Sequence, residues 1–279
     1  MRRREAITGL LGLALAVLTA GPARAEDQPL RIGVVPHTSA RFVLELYQPL
    51  REHLEQALGR PVEVITAPDF TTFVRRALAQ EYDLAITTGH QAQLLRVDAG
   101  YLPIRTYAAE FRAVVVVPRD SAASGPEALD GSRVIGLSPT SLVTQWGLHW
   151  LNAHHVAADV RYVSAADSVA QLVLAGDAAA GLLSTANFLS LNPDVQARLR
   201  FLVRSEPMLG RVYLLNRRLA GQRPAIDAAL DTFAASPAGQ RYFETTALGG
   251  YRAVRPEELS ALEPFAREVR AILESQRTP

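Results

Sequence analysis

Five short stretches of this chain collect side chains able to hold an anion: Pro36-His37-Thr38-Ser39, Thr66-Ala67-Pro68-Asp69, Thr87-Thr88-Gly89-His90-Gln91, Ser138-Pro139-Thr140-Ser141 and Ser184-Thr185-Ala186-Asn187. They hold hydroxyls and amides, with Asp69 as their one formal charge. Each stands where an apolar run hands over to an amphipathic one, so backbone N–H groups at a helix start would join the side-chain donors, backed by the helix dipole. That chemistry suits a small oxyanion gripped without a cation. Singly, each Ser, Thr or Asp reads as an ordinary helix cap; as a set facing one cleft, they read as a binding site. The residues expected to contact a ligand are Thr38, Ser39, Thr87, Thr88, His90, Gln93, Thr140, Ser141, Thr144, Asp167 and Ser184.

Catalytic patterns fare worse. Gly136-Leu137-Ser138-Pro139-Thr140 approaches a nucleophile elbow but lacks its closing glycine, and no histidine follows His155 to complete a Ser, acid, His order. With no cysteine, a thiolate zinc site, a thiol nucleophile and a disulfide scaffold are excluded. All 29 basic residues are arginine, which removes the phosphate-loop lysine and Schiff-base chemistry. His149, His154 and His155 are poorly spaced for a shared metal on one helix face. No enzyme activity, cofactor or metal is therefore expected. His37 and His90 fall in separate cleft loops, Tyr47, Tyr101 and Tyr107 read as packing residues, and Arg112, Arg204 and Arg211 as surface or interlobe ion-pair partners.

Those loops need strands ahead of them and helices behind. Runs at 30–35, 62–66, 83–87 and 104–107 read as strands, with helices at 49–58, where Pro49 opens the first turn, and at 69–80, capped by Asp69. Alternation of strand and helix points to a parallel sheet. A second alternating unit begins with the apolar run 113–117, of the kind a strand buried on both faces shows. It continues as strand 133–137, helix 141–154, strand 160–163, helix 168–175, strand 181–183 and a helix from about 185. Strands at 201–204 and 211–216 precede helices at 224–234, 237–243 and 256–275, which must cover a sheet made earlier. The expected architecture is α/β with two lobes, each a mainly parallel sheet flanked by helices. Residues 26–112 and 205–279 form lobe 1, residues 113–204 form lobe 2, and the two crossings make a hinge.

Residues 1–25 are a different kind of text. Arg2, Arg3 and Arg4, an apolar run at 10–18 and Ala23-Arg24-Ala25 read as a cleaved secretory signal peptide, for the general or the twin-arginine export route. That segment carries four arginines and one glutamate, so its removal takes +3 from a formal +1 and leaves the mature chain near −2. Such a charge gives no general attraction for nucleic acid or anionic lipid. No later run is long enough to span a bilayer, so no stable membrane insertion is expected after cleavage.

The sequence resembles the phosphate, phosphite and phosphonate solute-binding proteins of ABC transporters, the phosphonate-binding group of the type II periplasmic-binding fold. The resemblance rests on Ile32-Gly33-Val34-Val35-Pro36, on Tyr47-Gln48-Pro49-Leu50 with His53-Leu54-Glu55, and on Leu58-Gly59 before Val62-Glu63. It continues through Asp83-Leu84-Ala85, Leu129 and Gly131, Ser168-Val169, Val173 with Gly176-Asp177-Ala178, and Phe243 through Thr245-Thr246 to Leu248-Gly249-Gly250-Tyr251. It spans essentially the whole mature chain. The family's Pro-x-Ser-Thr-Ser-Gly turn is here Pro139-Thr140-Ser141-Leu142-Val143-Thr144. Its Ser-His-Asp/Glu loop is Ala165-Ala166-Asp167, and its Gly-Pro-x-x-Tyr loop is Gly89-His90-Gln91-Ala92-Gln93. No acid stands near Leu183-Ser184-Thr185 to hold an amino group, which argues against aminoethylphosphonate.

The resemblance implies a periplasmic protein whose lobes close over a small anionic ligand, an oxyanion or its organic derivative, and deliver it to an ABC permease. The altered turn motifs keep open an alternative, a ligand-sensing subunit that signals to the periplasmic domain of a membrane histidine kinase.

Overall fold

The computed structural model describes residues 28–276; the expected signal peptide at 1–25 lies outside them. β1 (Leu30–Val34), β2 (Val62–Ile65) and β3 (Leu84–Thr88) alternate with α1 (Ala40–Leu58), α2 (Phe70–Leu78) and α3 (Gly89–Asp98). After β4 (Leu102–Tyr107) come β5 (Ala113–Pro118), β6 (Arg133–Gly136), α4 (Leu142–Ala153), β7 (Asp159–Tyr162), α5 (Ala166–Leu174), β8 (Ala180–Ser184), α6 (Thr185–Leu189), α7 (Pro193–Ala197) and β9 (Leu199–Arg204). The chain ends with β10 (Arg211–Leu215), α8 (Arg223–Ala235), α9 (Pro237–Thr246), β11 (Tyr251–Arg252), α10 (Pro256–Ser260) and α11 (Glu263–Ser275). The strands form a six-stranded sheet, β11-β4-β10-β3-β1-β2, and a five-stranded sheet, β7-β6-β8-β5-β9.

Two sheets flanked by helices are the expected architecture, with one amendment. Only the strand–helix–strand units pair in parallel, β2-β1-β3 in the first sheet and β7-β6-β8 in the second. β10 and β5 run antiparallel to their neighbours, so both sheets are mixed rather than mainly parallel. The cause is the path of the chain, because β5 and β10 each follow a crossing from the other sheet and enter from the opposite end. The crossing segments pair with each other: Phe111 bridges Met208, and Ser205 N donates to Ala113 O at 2.8 Å.

Helices cover the first sheet on both faces. Tyr47, Leu50 and Leu54 of α1 pack with Leu230 and Phe233 of α8 against Leu30, Ile32 and Val34. On the far face Phe73, Val74, Leu94 and Leu95 pack with Val269 and Leu273 of α11. Burial of one such side chain is worth about 1.5–3 kcal/mol. The C-terminal helices thus return to the first sheet, as their lack of long strands predicts.

Besides the added short elements α7 and β11, three departures from the sequence reading have a clear local cause. α1 starts at Ala40, not Pro49, because Ser39 caps Phe42 N and the earlier turns bury Val43 and Tyr47. Pro49 inside that helix costs about 3 kcal/mol, and this burial offsets it. α3 is an added helix whose start, Gly89 to Leu95, is buried throughout; without a polar face it carries no amphipathic signal. The last helix is two, since Pro264 fits a first turn and cannot continue the helix before it.

Candidate functional site

The carboxyl ends of the parallel strands of both sheets face each other, and the loops after them meet. At the centre is the carbonyl of Thr140, in the loop between β6 and α4. His90 Nε2, from the first turn of α3, lies 3.0 Å from it, and Gln91 Nε2 donates to it at 3.3 Å. The tautomer that fits carries its proton on Nε2, leaving Nδ1 to accept from Thr88 Oγ1 at 3.1 Å. Burial lowers the His90 pKa to about 4, more than the Thr140 hydrogen bond raises it, so the ring is neutral. Thr87 Oγ1 fixes Gln91 from behind at 2.6 Å. On the other side Ser141 caps α4, accepts from Thr144 N and donates to Thr144 Oγ1 at 2.9 Å. Of the expected contact residues, the structure gathers Thr87, Thr88, His90, Thr140, Ser141 and Thr144 here: His90 bonds Thr88 and Thr140, Thr87 reaches Thr140 through Gln91, and Ser141 and Thr144 bond each other.

The remaining five lie elsewhere. Thr38 and Ser39 are exposed at the head of α1, with Ser39 as its cap. Gln93 Nε2 donates to Glu263 on α11 at 2.7 Å. Asp167 is exposed in the first turn of α5. Ser184 and Asn187 form a capping box on α6.

Beside the cluster opens a cavity of about 510 Å³ whose walls come from both sides. Pro36, Pro68, Asp69, Phe70, Thr71, Thr72 and Arg75 belong to the loops and helix of the first sheet. Ser138, Pro139, Tyr162, Val163 and Ser164 belong to the second, and Gln276 closes one edge. Thr140 Oγ1 ties cavity to cluster, at 3.1 Å from Ser138 Oγ and 3.4 Å from Thr71 Oγ1. Three of the loops expected from the sequence, 36–39, 66–69 and 138–141, line it, whereas Phe70, Arg75 and Tyr162 were not expected there. A signal existed: Arg75 follows Thr71 by four residues and Thr72 by three on α2, so the three share the face that Asp69 caps.

A second polar group lies beside Thr88, on the face of the first sheet that α1 covers. Arg211, which opposes Thr88 in the β3–β10 register, donates from Nη1 to His37 Nε2 at 3.0 Å and Tyr47 Oη at 3.1 Å. Its guanidinium lies 5.4 Å from the centre of the Tyr107 ring. No carboxylate pairs with it among the described residues. His37 donates from Nδ1 to Val35 O, and burial, then the neighbouring Arg211, lowers its pKa to about 3. Hydroxyl contacts of 2.7–3.3 Å link Tyr47, Tyr107, Tyr213, Tyr242 and Tyr251. Burial raises the pKa of Tyr107, Tyr213 and Tyr242 well above the ordinary phenol. The tyrosines pack, as expected, and also form a hydrogen-bonded chain. Arg112 does form an ion pair, with Glu110, whereas Arg204 lies 4.4 Å over the Phe201 ring.

Metal chemistry finds no support in the histidines. His149 packs at a tilt on the Phe265 ring, centroids 4.7 Å apart, His154 Nδ1 donates to Trp150 O, and no three His, Asp or Glu residues converge among the described residues.

Comparison with known proteins follows the same lines. Residues 32–259 match the family described as ABC transporter, phosphonate, periplasmic substrate-binding protein. No curated protein sequence matches the chain. Similar solved structures include PhnD1 of Prochlorococcus marinus in complex with methylphosphonate, at a TM-score of 0.77 and 15% identity over 86% of this chain and 98% of that one. The Xanthomonas citri protein XAC2383 bound to ATP aligns at 0.74 and 18% over 87% and 98%. A binding component of a Pseudomonas aeruginosa ABC phosphonate transporter aligns at 0.71 and 15% over 90% and 98%.

Proposed function

This chain belongs to the phosphonate family of ABC-transporter periplasmic substrate-binding proteins, and from that premise we propose that it captures an oxyanion or an organic derivative of one in the cavity between its sheets. The family is one of substrate-binding proteins, not enzymes. Residues 26–112 with 205–279 act as one jaw and 113–204 as the other, joined by the paired crossings. A ligand touching both jaws stabilises the closed form, and an ABC permease recognises that closure. Cleavage of residues 1–25 would release the mature protein into the periplasm; no helix among the described residues is long and apolar enough to cross a membrane. The family match lends no support to the kinase-sensor alternative, which is not carried further.

The observation that carries this reading is the cavity of about 510 Å³ lined from both sides. The methylphosphonate and ATP bound to proteins of the same fold are anions with phosphorus heads, which suits a wall of hydroxyls and one guanidinium. In the open form the cluster of Thr87, Thr88, His90, Thr140, Ser141 and Thr144 would be freed to donate to such a head, each charge-assisted bond contributing about 1.5–3 kcal/mol. Thr38, Ser39, Gln93, Asp167 and Ser184 stay on the rims, within reach only after rearrangement.

The test is a melting screen of the mature protein against phosphate, phosphite, methylphosphonate, arsenate and methanesulfonate, followed by calorimetry. A true ligand at a hundred times its Kd stabilises by about 2.7 kcal/mol, a rise of roughly 5–10 °C for a chain of this size. No shift with any of these anions, nor with larger phosphonates, would defeat the proposal.

A further inference from the structure

The cavity is larger than a bare oxyanion needs. Its volume of about 510 Å³ matches that of roughly seventeen waters at about 30 Å³ each, and pockets of about 300–1,000 Å³ take organic ligands. A five-atom anion would leave most of it wet. Two formal charges stand on its wall, and they are not equivalent. Asp69 is committed, its oxygens accepting from Thr72 N at 2.7 Å and Thr72 Oγ1 at 2.9 Å to cap α2. Arg75 is not: Nη2 donates to Gln276 Oε1 at 3.0 Å, Nε is buried with no partner, and no carboxylate pairs with it among the described residues. An arginine cannot shed its proton to relieve that state, and its planar fork fits a phosphoryl group.

The aromatic lining points to the rest of the ligand. Phe70 opens α2 on one wall and Tyr162 ends β7 on the other. The Tyr162 residue is 44% exposed, although most large apolar rings of the chain are buried, so it offers surface to whatever enters. Aromatic side chains placed this way supply contact area at little cost in conformational freedom.

We propose that the cavity takes a phosphoryl anion carrying a ring-sized organic body: the phosphonate or phosphate head on Arg75, with Thr71 and Ser138 beside it, and the body between Phe70 and Tyr162. This rests on the reading of the cleft given above and narrows it to a substrate class. A carbon-linked and an oxygen-linked head share this chemistry and are separated by the probes. Calorimetry would compare phenylphosphonate, phenyl phosphate, methylphosphonate and inorganic phosphate on the mature chain and on three variants.

At least one phenyl compound is expected to bind about tenfold or more tighter than its methyl or inorganic counterpart. Tyr162→Ala and Phe70→Ala should weaken the phenyl ligand about five- to tenfold and methylphosphonate by clearly less, so that the preference for the phenyl compound shrinks. Arg75→Gln should weaken every phosphoryl ligand about tenfold or more. Tyr162 is a surface residue, so its variant decides even if the loss of Phe70 disturbs packing. Methylphosphonate or phosphate binding as tightly as the phenyl compounds, with Tyr162→Ala silent, would overturn the organic body while leaving the cleft reading intact. Binding by none of the four would overturn the phosphoryl ligand, and the wider anion screen above would then decide the cleft reading separately.

Discussion

Acidification from pH 6.5 toward pH 4 is expected to remove about 3 kcal/mol of folding stability, most of it through one buried histidine. His90 sets the window. Burial depresses its pKa to about 4 in the fold, against about 6.5 in the unfolded chain. Below pH 6.5 the unfolded chain therefore binds a proton that the native state refuses, and stability falls as the pH drops, levelling off near pH 4. A difference of about 2.5 units corresponds to about 3 kcal/mol. His37 adds in the same direction over a window that reaches about 3, though its partial exposure discounts its share. Carboxylates follow at lower pH: burial alone would raise the Glu258 carboxyl, but bonds to Arg252 and Arg255 outweigh it and hold it near 2.

Urea unfolding at a series of pH values reads the effect as a slope, up to about 1.4 kcal/mol per pH unit for each such histidine. His90→Gln retains an amide N–H for the Thr140 carbonyl but cannot titrate, so the slope between pH 6 and pH 4.5 should fall by up to one proton. A variant slope equal to that of the original would show that His90 is not the group responsible. The same proton reaches function, because it would charge a ring held in the contact between the two sides of the cleft.

What was legible in the sequence was which loops meet between the two sheets, and what was not was how their side chains turn. Apolar runs ending in Pro36, Pro68, Thr88 and Ser138 marked strand ends, and ligands of α/β sheets lie there. The same rule led to His90 and Thr140, whose contact across the cleft follows from the loops they occupy. It gave no rotation about a helix axis. Gln93 sits three residues after His90, yet its amide turns to Glu263 on α11, a partner 170 residues away that no local pattern announces. Arg75 escaped because one arginine among 29 carries no signal until a cavity opens beside it. Arg211 was read as an ion-pair partner because arginines commonly are. Its neutral surroundings of His37, Tyr47 and Tyr107 come from three separate elements. Long-range placement, not residue type, is what single-chain patterning lacks.

Replacing Gly33 with alanine should cost about 2–3 kcal/mol, although alanine is normally the better residue inside a strand. A Cβ there would stand 2.4–2.6 Å from three ring atoms of Tyr82, and neither partner has room to retreat. Gly33 lies in the middle strand of three, in register with Ile65 on one side and Ala85 on the other. Tyr82 is fully buried and stacks on Phe73 at 5.3 Å. Its carbonyl accepts from Tyr101 Oη at 2.9 Å and Asn216 Nδ2 at 3.1 Å. The strain must then pass along β1, whose next turn carries Pro36 on the cavity wall and His37 under Arg211. Gly33→Ala should thus weaken ligand binding as well as folding. The close approach is tested by a double-mutant cycle, since in a Tyr82→Leu background, with the ring gone, the same substitution should cost less than about 1 kcal/mol. An equal loss in both backgrounds would assign the role of this glycine to its backbone and not to the ring it faces.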